Sequence, residues 1–230
     1  MDAPTLLRPL APDLREVERH VYGRGLHARL RMTVIRRPGG GLWLHSPVEI
    51  DDALAAGLAA LGPVHDVVAP SRFHYLYAGA AKARYPEATL WAAPGLAAKR
   101  PEIAFDRGLT EDPQPWPDAL EALLVDGRPT FNEFVFHHRA SRSLVCTDLL
   151  FNLQDEPEWP TRLLYRVIGA YRTLGPNRVA RLLTRDRAAA AASYRRILAW
   201  APERIVMAHG DVLEDRGSAR LRAALEPLCR

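Results

Sequence analysis

Ile205-Val206-Met207-Ala208-His209-Gly210-Asp211, a short run close to the C-terminus, is a hydrophobic strand that ends in a histidine followed by glycine. A buried strand that delivers an imidazole to an open loop builds a ligand or a proton shuttle. Its meaning depends on what lies beside it, and two other segments share its form. Asp66-Val67-Val68-Ala69-Pro70 runs into Ser71-Arg72-Phe73-His74, and Ser143-Leu144-Val145-Cys146 runs into Thr147-Asp148. Three apolar strands therefore end in His74, Asp148 and His209, all residue types that bind metals or move protons.

Outward from these strands, the early half of the chain alternates strand and helix. Leu30 to Arg36 and Gly41 to His45 read as a hairpin, because Arg37-Pro38-Gly39-Gly40 supplies turn chemistry between two β-prone runs. Ile50 to Leu61 reads as a helix, with Asp51 and Asp52 in its first turn, where carboxylates favour the helix dipole, and Gly62-Pro63 to stop it. Val64 to Pro70 follows as a strand, Gly79 to Tyr85 as a short helix and Thr89 to Ala93 as a further strand. That rhythm predicts a layered α/β fold. Pro101 to Pro117 carries many prolines and no period, so it reads as a surface excursion before strands at Ala122 to Asp126, Glu133 to His138 and Ser143 to Thr147. The last two pair through the connection at 137–142, which sets His137 and His138 at the end opposite Asp148.

From Arg162 to Arg187 the composition changes: seven arginines (162, 166, 172, 178, 181, 185 and 187) stand against one acid, Asp186, with Leu163, Leu164, Val167, Ile168, Tyr171 and Leu174 at helical spacing. The first expectation for such a basic amphipathic element is a helical cover, its apolar stripe docked on the domain and its arginines in solvent. An anionic ligand, a membrane surface or a second subunit, giving a homodimer through the 162–187 helices, are the other partners it would suit. Arg187 to Trp200 reads as a helix, Arg204 to Ala208 as the last strand and Gly217 to Leu228 as a closing helix. With no internal repeat or linker, residues 1–230 are expected to form one domain in which 151–187 are a helical insertion.

Composition bounds the function. At 230 residues, 48% hydrophobic and 25% charged, the chain is long enough for a well-buried core. Lys plus Arg exceed Asp plus Glu by 31 to 27, a mild basic bias that permits a small anionic ligand but lacks the concentrated excess, and the stacked-aromatic groove, of a nucleic-acid binder. Cys146 lies in a strand and Cys229 stands next to the last residue, a pair poorly suited to a disulfide, so a reducing, cytoplasmic setting is expected. Met1 to Glu18 mixes Pro, Asp, Arg and Glu without the apolar core of a signal peptide, and no stretch reaches membrane-spanning length.

In order and form these features resemble the metallo-β-lactamase fold superfamily over most of the chain. The likeness rests on the strand into His45, the loop Ser71-Arg72-Phe73-His74-Tyr75-Leu76-Tyr77-Ala78-Gly79, the strand into Thr147-Asp148-Leu149-Leu150-Phe151, the helical insertion and Ala208-His209-Gly210. In that superfamily the first loop reads His-x-His-x-Asp-His-x-Gly, the second strand ends in Gly-Asp and the third in Gly-His-Gly. The resemblance implies a four-layer αββα sandwich and points to an uncharacterised branch whose metal motif is degenerate.

The departures are specific. With His74 on the second family histidine and Gly79 on its glycine, Arg72 falls on the first histidine, Leu76 on the aspartate and Tyr77 on the last histidine. The turn Asp126-Gly127-Arg128-Pro129-Thr130 lacks the ligating histidine that the superfamily places there. Leucine cannot coordinate, and an arginine brings a permanent positive charge whose repulsion of a dication amounts to several kcal/mol at the low effective dielectric of a cleft. A two-metal centre is therefore not expected. His74, Asp148 and His209 remain; two imidazoles and a carboxylate suffice for one divalent metal, zinc with an exchangeable water or iron with open positions. Tyr77 could add a phenol, His45 ends a strand at the same edge by resemblance, and Asp211 could reach back to support His209.

Each residue also has a plainer use. A histidine in a tight loop is often a hydrogen-bonded structural group, Asp148 could cap the turn at 149–151, and Arg72 could pair with Asp148 instead of binding a substrate carboxylate or phosphate. Two readings stand. In one, a mononuclear hydrolase uses His74, Asp148 and His209 on the metal, Asp148 and His209 in catalysis, and Arg72 and Tyr77 to bind a small anionic substrate. In the other, the same fold is a metal-free binding or interaction domain.

Overall fold

The parallel strands carry near-continuous apolar runs, as expected where both faces of a sheet are covered. In the computed structural model, which describes residues 7–23 and 26–229, the chain forms two units, one of residues 1–19 and 31–109 and one of residues 20–30 and 110–230.

The first unit is built on a seven-stranded sheet whose strands lie side by side in chain order: β1 (Arg8–Ala11), β2 (Leu14–Gly23), β3 (Leu26–Arg36), β4 (Leu42–His45), β5 (Val64–Ala69), β6 (Thr89–Ala92) and β7 (Arg107–Gly108). Residues 20–30, the far ends of β2 and β3, count with the second unit. β1 pairs antiparallel with β2, β3 pairs antiparallel with β4, and β4 to β7 run parallel. The expected hairpin is present, with Val34 opposite Leu44. Helices α1 (Asp52–Leu61), α2 (Ala78–Arg84) and α3 (Leu96–Lys99) make the connections between the parallel strands. α1 starts where the Asp51 carboxylate accepts the Leu54 backbone N–H at 2.8 Å, and it buries Leu54 and Leu58.

The N-terminal strands β1 and β2 were not expected. Their charges hide the pattern: Glu16 is buried because buried Arg31 of β3 donates to it, and Arg31 also donates to Glu18 at 2.6 Å. The short β7 likewise lies inside the stretch read as a surface excursion, held by backbone bonding along β6.

The second unit carries a four-stranded sheet of β8 (Leu120–Leu124), β9 (Phe134–His138), β10 (Ser143–Cys146) and β13 (Arg204–Met207), ordered β13-β10-β9-β8, and a small pair, β11 (Phe151–Asn152) with β12 (Leu174–Gly175). Its helices are α4 (Trp159–Val167), α5 (Arg178–Leu182), α6 (Arg187–Ala199) and α7 (Gly217–Leu225). Leu123, Val135, Leu144 and Cys146 of the sheet pack against Ala190, Tyr194 and Ile197 of α6 and Leu221 and Leu225 of α7. β9 and β10 pair with His138 opposite Ser143, so His137 and His138 do lie at the end away from Asp148. Cys146 and Cys229 are both free thiols.

Over residues 162–187 the chain carries two helices, α4 and α5, separated by Gly169, the short strand β12 ending in Gly175, and Pro176. The apolar stripe expected there is docked only in part: Ile168, Tyr171 and Leu174 pack on buried clusters, whereas Leu163 is 53% and Val167 62% exposed and Thr161 and Tyr165 make the buried side of α4. Among the described residues, no helix is long and apolar enough to cross a membrane.

Candidate metal centre

In the first unit, β4 and β5 run parallel with His45 opposite Val68, so the residues that follow them emerge at one edge of the sheet. After β5 the chain turns sharply: buried Ser71 accepts the backbone N–H groups of Phe73 and His74 through its hydroxyl, at 3.3 and 3.2 Å. This turn brings the His74 ring to Ser46, whose Oγ lies 2.8 Å from His74 Nδ1. Ser46 itself has φ +54°, in the left-handed region that costs a non-glycine residue roughly 1–2 kcal/mol. His45, stacked on Trp43, is fully buried, and burial, followed by the neighbouring His74, holds its pKa well below the ordinary histidine value. It is therefore neutral at pH 7.

Arg72 is half-buried, and its carbonyl accepts Lys99 Nζ at 2.6 Å; Lys99 in turn lies over the Phe73 ring. Tyr77 is half-buried at the start of α2, where its carbonyl accepts the Ala81 N–H. Leu76 points outward and is 64% exposed.

In the second unit, β10 and β13 are parallel with Cys146 opposite Met207. Asp148 and His209 each follow two residues later, so this register carries both side chains to one edge. His209 Nε2 lies 3.7 Å from Asp148 Oδ1. The ring is held on its other side by Nδ1, 3.0 Å from the Arg29 carbonyl, and it stacks on Phe151 with an interplanar angle of 6°. Gly210 makes the turn possible. Its φ is +89°, and a Cβ there would lie 2.3 Å from the Asn152 carbonyl. Asp211 does not contact His209 as a supporting carboxylate: it pairs with the Arg29 guanidinium at 2.9 Å, and the support reaches the imidazole through Arg29's backbone.

Asp148 has a support that sequence reasoning missed. Glu133 is fully buried and accepts from both the backbone N–H and the hydroxyl of Thr147, at 2.7 and 2.9 Å, which pins the residue before Asp148. Arg128, 1% exposed, places a guanidinium nitrogen 4.0 Å from the second Glu133 oxygen and stacks over Phe131. Burial raises the Glu133 carboxyl above its ordinary range, Arg128 pulls it back, and Asp148 adds to the rise. Burial, with Glu133 next, also pushes the Cys146 thiol well up, so it is no nucleophile. The only signal for Glu133 in the sequence is a lone acid opening an otherwise apolar strand, and the Arg29 carbonyl leaves no trace at all.

The donor chemistry fits a cation. A backbone carbonyl can only accept, so His209 Nδ1 carries a proton, and Nε2 is turned toward the Asp148 carboxylate. At 3.7 Å the two atoms are too far apart for a good hydrogen bond. They are near the separation, roughly 3.3–3.5 Å, of two donor atoms bound at ~2.0–2.2 Å to one tetrahedral ion.

The fold is that of the metallo-β-lactamases. Solved structures that share it include DIM-1 metallo-β-lactamase exposed to ceftazidime, 12% identical with a TM-score of 0.67, covering 96% of this chain and 95% of that one. FIM-1 from Pseudomonas aeruginosa, in its mono-zinc form, is 12% identical with a TM-score of 0.65 and coverages of 97% and 95%. The metallo-β-lactamase from Erythrobacter litoralis, with β-mercaptoethanol in its active site, is 16% identical with a TM-score of 0.66 and coverages of 96% and 96%. No curated protein matches the chain. Over residues 24–164 the chain matches, and it belongs to, the family described as "Domain of unknown function (DUF4336)".

Proposed function

We propose that this protein is a metal-dependent hydrolase with a single divalent ion, zinc or iron, held by His74, Asp148 and His209, and that it acts on a small anionic substrate in the cytoplasm. Two imidazoles and a carboxylate are a set that could hold a metal ion. The observation that carries the reading is the Asp148–His209 pair: at 3.7 Å, with the imidazole proton committed to the Arg29 carbonyl, it is arranged for a shared cation. FIM-1, of the same fold, was solved in a mono-zinc form, so one ion is compatible with this architecture.

A divalent ion bound there would supply Lewis-acid polarisation of a substrate carbonyl and a lowered pKa for water. The chain's own residues do the rest. Arg29 and Phe151 fix the tautomer and plane of His209, the Glu133–Thr147 contact fixes Asp148, and Ser46 fixes His74. Arg72 holds a substrate carboxylate or phosphate by paired N–H donors, and the Tyr77 hydroxyl orients it.

A second reading, a metal-free binding domain of the same fold, is favoured by one feature. The buried Arg128 guanidinium occupies the turn where the superfamily places a ligating histidine, and a permanent charge there opposes a dication. Elemental analysis of protein purified without chelator separates the two. The hydrolase reading expects about one zinc or iron per chain, lost in both His74→Ala and His209→Ala; a metal-free parent protein would leave the binding domain standing.

A further inference from the structure

We propose that helices α4 and α5, which adjoin where Arg178 donates to the Val167 carbonyl at 3.2 Å, dock together on an anionic lipid bilayer. Of eleven large hydrophobic side chains exposed among the described residues, seven lie between 159 and 183. On α4 they form a stripe at i, i+4 and i+8, with Trp159 67%, Leu163 53% and Val167 62% exposed, and on α5 Leu182 is 82% exposed. The opposite side of α4 is anchored, Thr161 accepting the His27 N–H through its hydroxyl at 2.8 Å, so the stripe is turned out by the fold and not by a frayed helix. A tryptophan at the start of such a stripe suits the headgroup level of a membrane.

Charge names the occupant. Seven of the chain's 31 basic residues lie at 162–187 against one of its 27 acids, which more than accounts for the net charge of +4. Six of these seven arginines are exposed, and among the described residues none pairs with a carboxylate: Arg162, Arg172 and Arg178 donate only to backbone carbonyls, and Arg166 lies over Tyr171. Arg178, Arg181 and Arg187 line an open pocket of about 460 Å³ beside Leu182, a site for headgroup phosphates. A second copy of the chain would set two such arginine clusters against each other, and a nucleic acid would leave the apolar stripe in water. An anionic bilayer satisfies both the stripe and the charge, with each arginine near its surface worth about fivefold in partitioning.

The test is flotation of the full chain with vesicles of phosphatidylcholine alone or with 30 mol% phosphatidylglycerol, beside Trp159→Ser/Leu163→Ser/Val167→Ser and Arg178→Gln/Arg181→Gln/Arg187→Gln variants. Binding to the anionic vesicles is expected to exceed binding to neutral ones at least tenfold, to fall steeply with salt, and to drop at least tenfold in each variant with circular dichroism unchanged. Should a variant unfold, the lipid and salt comparisons on the parent protein still decide. No flotation with anionic vesicles, or equal flotation with both, overturns the proposal, as does a Leu163-dependent dimer or an RNA complex formed by protein that leaves vesicles alone.

Discussion

Glu133 shows how much of a site can rest on a residue that never touches its chemistry. Its carboxylate joins a buried guanidinium, Arg128, to the backbone and hydroxyl of Thr147, and so to the placement of Asp148. Removing one partner of a buried ion pair leaves the other charge uncompensated, which costs about 3–5 kcal/mol, whereas replacing both by neutral groups of similar volume is far milder. Glu133→Gln is therefore expected to lower stability by about 3 kcal/mol or more, read as a fall in the urea midpoint of roughly 1 M or more. Arg128→Met/Glu133→Gln is expected to recover at least half of that loss. A single variant as stable as the parent would show that the pair does not hold this region.

Among the elements, the parallel pairing of β10 and β13 does the most for the site, because a register with Cys146 opposite Met207 carries Asp148 and His209 to one edge together. The two strand ends were legible, each an apolar run ending in a ligand-type residue, but the parallel pairing that brings them level was not. The loop after β13 is then sewn to β11, Asp211 N–H donating to the Asn152 carbonyl at 2.8 Å and the Asn152 amide donating back to the Asp211 carbonyl at 2.8 Å. Gly210 is the stitch. Gly210→Ala is expected to cost more than about 2 kcal/mol through its positive φ and the clash with Asn152, lowering the melting temperature by roughly 4–8 °C. An unchanged melting temperature would mean that the loop has room to spare. What was not legible among the elements has a common cause. β2 pairs its buried Glu16 with Arg31 of β3, charges that read as surface, and α4 exposes apolar residues that composition alone assigns to the core.

At the scale of the whole molecule, the metallo-β-lactamase fold was readable from the order of strand ends, since His74, Asp148 and His209 follow the three strands that such a fold uses to present ligands. The chain spans nearly the full length of the solved structures named above, at 12–16% identity, so the architecture persists where little of the sequence does. Leu76 is exposed, Arg72 and Tyr77 are half-buried, and Arg128 is buried against Glu133. The supports of the three retained residues, a carbonyl, a serine hydroxyl and a buried acid, are tertiary and could not have been read from spacing. Whether the retained residues work as one centre is tested most directly by diffraction from zinc-loaded crystals at the zinc absorption edge. The account predicts one anomalous peak within about 2.0–2.2 Å of a nitrogen of His74, an oxygen of Asp148 and Nε2 of His209. No peak there, or a peak only elsewhere on the protein, would contradict it.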